Sequence, residues 1–337
     1  MVGVMRTDIT QVQRLLVGYW HLVDWKSVPS DVRSRVRVQI RSDAIITHVP
    51  AFGDFKAAFL KIYPSDKALR NEVDGLQQAQ LVSAHVGVSV PRILCVVSAE
   101  NALLVEHLNG TNLGSLLRLA LLRPSPDLRG IWEALACWLR AFHEVQVVTS
   151  EELSGFLEWW SALTRKYLMG IVELIGPSSE EKVSRVKTAI ERAAFDRPFL
   201  LAWCHGDFAV HNIIINKASI YVTDFGYRKP APREFDIERL FHSIQDAIGF
   251  LPVQRVQGLS VDIRREFMTH YGSDYALDVT AADAARLFLQ LERLYFLNKS
   301  RSALNCSIKQ IWRWYQIRRS LVWFEVWLAA ASKRYAV

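Results

Sequence analysis

Three oxygen-bearing side chains frame one apolar run. In "HGDFAVHNIIINKASIYVTDFG", His205 to Gly226, Asp207 is followed by Asn212 and, beyond the run, by Asp224. Asn212 and Asp224 are oxygen donors of the kind that hold a hard cation. Mg²⁺ takes few protein oxygens and completes its shell from phosphate and water. Asp207 is a separate carboxylate, free to meet a reacting hydroxyl. A base at an acceptor hydroxyl, with metal against nucleotide phosphates, is the equipment of phosphoryl transfer.

Such groups must be carried by elements that bring them together. "NIIIN" and "SIYVTD" read as strands joined by "KAS", a hairpin that returns Asp224 toward Asn212. Upstream, "RVRVQI", "AIITHVPA" and "KAAFLKIY" are strand-like, with "RSD" and "FGD" as turns. Helical patterning follows in "DKALRNEVDGLQQAQLVSAH", then two more strands in "PRILCVV" and "ALLVEHL". A first helix is expected from Asp8 as N-cap, with Gln11 three positions on. After Gly110 the pattern is helical, in "IWEALACWLRAFHEV" and over 155–193, 234–249, 281–298 and 307–332. Strands in this half are expected only around Ile213 and Ile220. A sheet-rich front and a helix-rich back predict an α+β chain of two lobes linked near "EHLNGTN". The expected division is 1–38, a helical extension; 39–108, a small sheet-rich N-lobe; and 109–337, a large helical C-lobe.

The spacing of "HGDFAVHN" and "DFG" resembles the catalytic and metal loops of the aminoglycoside phosphotransferase and choline kinase family, which has a protein-kinase-like two-lobe fold. His-Gly-Asp stands where protein kinases carry His-Arg-Asp. The family's other segments follow in order over about residues 40–300: "AFLKIY" with Lys61, "LRNEVDGL" with Glu72, "ALLVEHLNG" as hinge, "LRAFHEV" with Phe142 in place of a leucine, and "PREFDIERL" with Asp236. The resemblance implies a role for each. Asp207 would accept or orient the proton of the acceptor hydroxyl. Asn212 and Asp224 would hold Mg²⁺. Lys61 would contact the α- and β-phosphates of ATP, and Glu72 would fix Lys61 by an ion pair. The backbone from Glu106 to Leu108 would hydrogen-bond adenine, so the N-lobe would bind the nucleotide. Asp236 would cap the following helix and brace the catalytic loop. One departure stands out: the turn "RSDA" has no glycine, and Gly53 falls in the next turn. This entry resembles kinases of lipopolysaccharide core sugars and Kdo-type kinases.

Other residues have plainer readings. His205 is expected to pack beneath the loop, although His205 and His211 also have the spacing of a metal pair. Cys204 reads as buried filler, and Trp159 and Trp160 as core, with sugar stacking as the rival. The four cysteines lie far apart, which argues against a disulfide framework or zinc site and for a reducing compartment. The 337 residues are 50% hydrophobic and 22% charged, which excludes a disordered chain. No signal peptide or membrane span is evident, so a cytoplasmic protein is expected, with peripheral attachment to a membrane surface left open. The net charge is +7, and from Arg301 onward seven basic residues face the single acid Glu325. Nucleic acid is not the expected partner of this tail. Its aromatic stretch "IWRWYQIRRSLVWFEVWL" reads as a packed helix rather than an interfacial one. The charge balance disfavours a polycationic aminoglycoside and favours a sugar or glycolipid-type acceptor. An aminoglycoside or choline-like amino-alcohol kinase, and a nucleotide-binding pseudokinase, are the alternatives.

Overall fold

A computed structural model of the chain describes residues 37–40, 44–51, 57–120, 128–145, 148, 150–196, 201–217, 219–249, 253–272, 278–301 and 307–336. The helix expected from Asp8, most of the turn "RSDA" and Gly53 lie outside them. The architecture is mixed α+β, with a sheet-containing N-terminal region and a helical C-terminal region. Two compact units divide the chain: Met1–Val73 with Pro91–Leu108, and Asp74–Val90 with Asn109–Val337.

The first unit is built on a five-stranded antiparallel sheet. Its order is β1 (Arg37–Ile40), β2 (Ile45–Val49), β3 (Ala58–Ile62), β6 (Ala102–Glu106), β5 (Ile93–Val97). Side chains alternate between faces along a strand. Ile45, Thr47 and Val49 are buried on one face of β2, matched by Ala58 and Leu60 of β3. Lys61 takes the other face with Phe59, opposite Ile46 on one neighbour and Leu103 on the other. Helix α1 (Asp66–Val86) begins in this unit and ends in the second. Its buried stripe is Leu69, Glu72, Leu76, Ala79 and Val82. A carboxylate in such a stripe needs a partner, because an unpaired buried charge is costly.

In the second unit the expected hairpin is present. β9 (Ile213–Asn216) and β10 (Ser219–Val222) pair antiparallel, Ile213 against Val222. The short strands β4 (Val88–Ser89) and β7 (Thr111–Asn112) complete that sheet in the order β4-β10-β9-β7. A separate ladder, β8 (Leu201–Cys204) with β11 (Lys229–Pro232), flanks the segment of interest on both sides. It was not expected. β11 reads "KPAP", and proline is a poor strand signal because it has no N–H to donate.

The helices of this unit are α2 (Leu113–Ala120), α3 (Arg129–Glu144), α4 (Ser150–Met169), α5 (Val172–Ile175), α6 (Pro177–Asp196), α7 (Glu234–Ala247), α8 (Val253–Tyr271), α9 (Val279–Arg301) and α10 (Ser307–Arg334). The single pattern expected over 155–193 is broken at Gly170 and again at Gly176-Pro177. α2 and α8 were not expected. The core joins α4, α6, α9 and α10 through Trp160, Val186, Leu287, Leu291, Phe324 and Leu328. Each large apolar side chain so buried contributes about 1.5–3 kcal/mol. Trp160 is core, its indole N–H donating to the Ala284 carbonyl at 3.1 Å. The aromatic tail is the packed helix α10, which buries Ile317, Phe324, Leu328 and Ala331 and leaves Trp314, Val322 and Val326 exposed. No helix among the described residues is long and apolar enough to cross a membrane.

Candidate active site

β8 ends at Cys204, and the next two residues are tied down by one carboxylate. Asp236, in the first turn of α7, accepts the His205 N–H at 2.7 Å and the Gly206 N–H at 2.9 Å. Its Oδ2 also lies 3.0 Å from His143 Nε2, and His143 Nδ1 lies 2.8 Å from the Tyr271 hydroxyl. Burial pushes the Asp236 carboxyl up, but the His143 and His205 rings and the Gly206 N–H outweigh that and hold it below the usual range. Asp236 is therefore a brace and not the helix cap that the sequence suggested. The N-cap position of α7 is Arg233, without a side-chain cap, and the Asp236 oxygens are committed to the loop. His143, Cys204 and Asp236 bring three metal-ligand atoms together. All three are engaged otherwise: the Cys204 thiol donates to the Ala231 and Pro232 carbonyls at 3.4 and 3.5 Å, and burial pushes it far up, away from the thiolate.

Gly206 has φ +82°, and a Cβ there would overlap the Tyr227 carbonyl. The middle residue of His-Gly-Asp is thus glycine for a local steric reason. His205 is fully buried. Its Nε2 faces the Thr223 carbonyl at 3.1 Å and its Nδ1 accepts the Asp207 N–H at 3.3 Å, a neutral ring that ties the loop to the far end of the hairpin. Burial lowers its pKa despite three nearby carboxylates. With both ring nitrogens engaged, His205 forms no metal pair with His211. His211 is largely exposed and sits 3.4 Å from the Asp207 carboxylate instead.

Asp207 and Asn212 are brought together. Asn212 Nδ2 donates to the Asp207 carboxylate and to its carbonyl, each at 3.0 Å. Arg239 of α7 approaches the same carboxylate at 3.7 Å and is itself held by Glu292 of α9 at 2.6 Å. Burial alone would raise the Asp207 pKa, but the His211 hydrogen bond and the Arg239 charge bring it down to about 2. The Thr223 N–H and hydroxyl both donate to the Asn212 carbonyl, at 2.9 and 3.1 Å. That contact places Asp224, the next residue, at the Asn212 end of the hairpin. Asp224 has φ +72°, left-handed backbone that Asp tolerates better than most residues and that concentrates at functional sites. With Nδ2 of Asn212 spent on Asp207, its Oδ1 is the atom left for a cation. Oxygen from Asn212 and Asp224, with no nitrogen or sulfur donor, suits a hard divalent ion.

Aromatic packing fixes both loops. Phe208 and Phe225 flank Asp207 and Asp224 in sequence, and both rings lie against Trp138 of α3, with centroids 5.9 and 6.4 Å away. Phe142 stacks on Trp138 at 5.1 Å, and His205 meets Phe225 at 4.5 Å. A Cβ on Gly75 of α1 would come within 2.6 Å of Phe225 Cβ, so this face of α1 must be bare. The Val210 N–H donates to Ser243 of α7 at 3.0 Å. Phe142, Phe208, Phe225 and Arg239 stand inside "LRAFHEV", "HGDFAVHN", "DFG" and "PREFDIERL", but nothing short-range in the sequence marks Trp138 as the ring they share or Glu292 as the partner of Arg239.

In the first unit, Lys61 Nζ and Glu72 Oε1 form an ion pair at 2.7 Å, with side-chain exposures of 11% and 1%. The same face of the sheet carries an aromatic trio that the sequence did not mark. His48, Phe59 and His107 have ring centroids 4.7–5.4 Å apart. At the expected hinge, the Glu106 N–H donates to the Arg92 carbonyl at 2.9 Å and the His107 N–H to the Ala57 carbonyl at 3.0 Å. A base contact along Glu106–Leu108 therefore cannot use those two donors; the Leu108 N–H and the carbonyls are the groups it would need.

The sequence profile of the Phosphotransferase enzyme family matches residues 48–275. No curated protein is matched. Among solved structures, the chain is similar to a choline/ethanolamine kinase family protein from Mesorhizobium loti, at 16% identity and TM-score 0.57, covering 96% of this chain and 99% of that one. It is also similar to an aminoglycoside phosphotransferase from Streptomyces rimosus, at 21% identity and TM-score 0.55, covering 85% and 97%. A third is an ethanolamine kinase from Plasmodium vivax, at 14% identity and TM-score 0.55, covering 95% and 90%. At these identities the likeness is one of fold.

Proposed function

The chain belongs to the phosphotransferase enzyme family, and on that premise we propose that it moves the γ-phosphate of ATP to a hydroxyl of a small molecule, with Mg²⁺ as the metal. One observation carries the reading: an ionised Asp207 bonded to Asn212 at the end of a hairpin whose other strand leads into Asp224. Asn212 Oδ1 and the Asp224 carboxylate would hold Mg²⁺, which when bound neutralises phosphate charge. Lys61, oriented by Glu72, would bind the α- and β-phosphates. Asp207 would accept the hydrogen bond of the acceptor hydroxyl. The new bond would join the acceptor oxygen to the γ-phosphorus as the bond to the ADP oxygen breaks, in line and without a covalent enzyme intermediate, and the hydroxyl proton would pass through Asp207 to solvent. A carboxylate with a pKa of about 2 is a weak base. That suits a loose transition state, in which the hydroxyl need lose its proton only late.

The acceptor we favour is a sugar or glycolipid-type molecule, on the basic balance of the C-terminal segment. Similar structures named for aminoglycoside and choline/ethanolamine substrates support an amino-bearing acceptor as the second reading. The three described cysteines are free thiols, which supports a cytoplasmic setting. Asp207→Ala tests the assignment. Turnover should fall about 10²–10⁴-fold while Mg-ATP binding, followed by calorimetry, survives. Full activity in this variant would remove Asp207 from the chemistry, and Mg-ATP binding by a wild type without any ATP turnover would leave a pseudokinase.

A further inference from the structure

Within the second unit, α2, α7, α9 and α10 enclose a cavity of about 650 Å³, a size typical of small-molecule sites, roughly 300–1,000 Å³. Its charge is unbalanced. Among the described lining residues, Arg118, Arg293 and Arg319 are the cations and Asp246 is the one acid. Asp246 is ion-paired with Arg293. Arg319 is buried and lies beside Gly249, at the carbonyl end of α7, which offsets part of its charge. Arg118 is exposed, while the acid of the lining, Asp246, is paired with Arg293. Burial and the nearby Arg319 push the Arg293 guanidinium pKa down, as expected where positive charge is in excess. Phe296 and Tyr315 supply apolar wall.

The cavity also adjoins the catalytic loop. Arg118 lies one turn beyond Gly114, whose N–H donates to the Val210 carbonyl at 3.3 Å, three residues after Asp207. On α7, Asp246 follows Arg239, the partner of Asp207, by seven residues. Two turns place them on one face of the helix, about 10 Å apart. On α9, Arg293 is next to Glu292, which holds Arg239. Among the described lining residues the one acid, Asp246, is already paired with Arg293, which disfavours a cationic acceptor here.

We propose that this cavity is the distal part of the acceptor site and takes an anionic group, a phosphate or carboxylate, carried about 10 Å from the hydroxyl presented to Asp207. The proposal rests on the kinase reading above, and its test separates the two. Inorganic phosphate and glycerol 3-phosphate are titrated calorimetrically into the nucleotide-free protein, and phosphatidylcholine vesicles with and without phosphatidylglycerol are tested by co-sedimentation. Arg118→Gln, at an exposed position where folding is not at stake, should weaken anion binding about tenfold, the order of one charge-assisted contact. Arg118→Lys should restore part of it, and Asp207→Asn should leave it unchanged. Arg118-dependent binding of the soluble anions supports the subsite and identifies a soluble source; Arg118-dependent binding of the vesicles alone supports it and identifies a headgroup. No saturable binding of either, or binding indifferent to Arg118→Gln, overturns it. In parallel, phosphate transfer from ATP is compared for glucose 6-phosphate, glucose and glucosamine. Anion binding without transfer to any acceptor leaves the subsite standing and sinks the kinase reading. Preferred transfer to glucosamine, unaffected by Arg118→Gln, does the reverse.

Discussion

Asp207 is held as an anion by its neighbours, and this has a measurable sign. Its pKa falls from an ordinary 3.8 to about 2 on folding, so ionisation of the group favours the folded state. The contribution is complete above the unfolded value and is lost as pH falls through about 2. The stability difference between wild type and Asp207→Asn, from urea titrations, should therefore change between pH 4 and 2. A difference with no change in that window would assign the linkage to another group. It also follows that an acid limb in kcat near neutrality cannot be the titration of Asp207. At this scale the sequence was partly legible. Asp207, Asn212 and Asp224 fall within a few residues of a recognisable turn and hairpin. Arg239 stands inside "PREFDIERL" yet its role could not be found, because its partners Asp207 and Glu292 are remote in sequence and its type and position match any solvated helix residue. Asp236 was legible as the brace of the loop; its expected second role, capping α7, is absent because both its oxygens are taken by the His205 and Gly206 amides.

At the scale of elements, the first unit places Lys61 on β3 and Glu72 on α1 so that each neutralises the other. Removing one partner leaves a buried charge alone, which costs about 3–5 kcal/mol, whereas replacing both by apolar residues can be near neutral. Lys61→Met should thus lower stability more than Lys61→Met with Glu72→Leu, and both should lose Mg-ATP affinity. Equal destabilisation of the single and double variants would show that Glu72 is solvated. The elements that could be read share strong local patterns: alternation leading into β1, β-branched residues in β2, and the helical patterning of α1. α8 and β11 were missed for different reasons. In α8, Val253, Val256, Leu259, Ile263, Phe267 and Tyr271 recur at helical spacing, so its pattern was present in the sequence despite Gly258; Phe267 and Tyr271 are buried. β11 has proline at two of its four positions, and it pairs with β8 as an isolated two-stranded ladder, where missing donors are tolerated. Its order comes from that partner, which no short window contains.

For the whole molecule, the charge count has become a location. Of the basic residues from Arg301 onward, Arg319 is buried and lines the cavity, so that part of the surplus faces inward and is not a solvated tail. Ligand linkage offers a test of the full chain. A ligand that binds only the folded state at a hundred times its Kd adds about 2.7 kcal/mol of stability. ATP with Mg²⁺ should raise the melting temperature, and EDTA should cancel most of that gain; a gain unchanged by EDTA would argue against metal-linked binding through Asn212 and Asp224.

The Asp236 brace has a further consequence. The His205 and Gly206 amides point at a carboxylate that is itself buried, so neither can meet solvent without stranding that charge. Small fluctuations of the loop will not release them. In deuterium they should be among the slowest amides to exchange, and slow in step with the core helices of their unit. The hydrogens nearest the proposed chemistry would then keep time for the unfolding of everything around them.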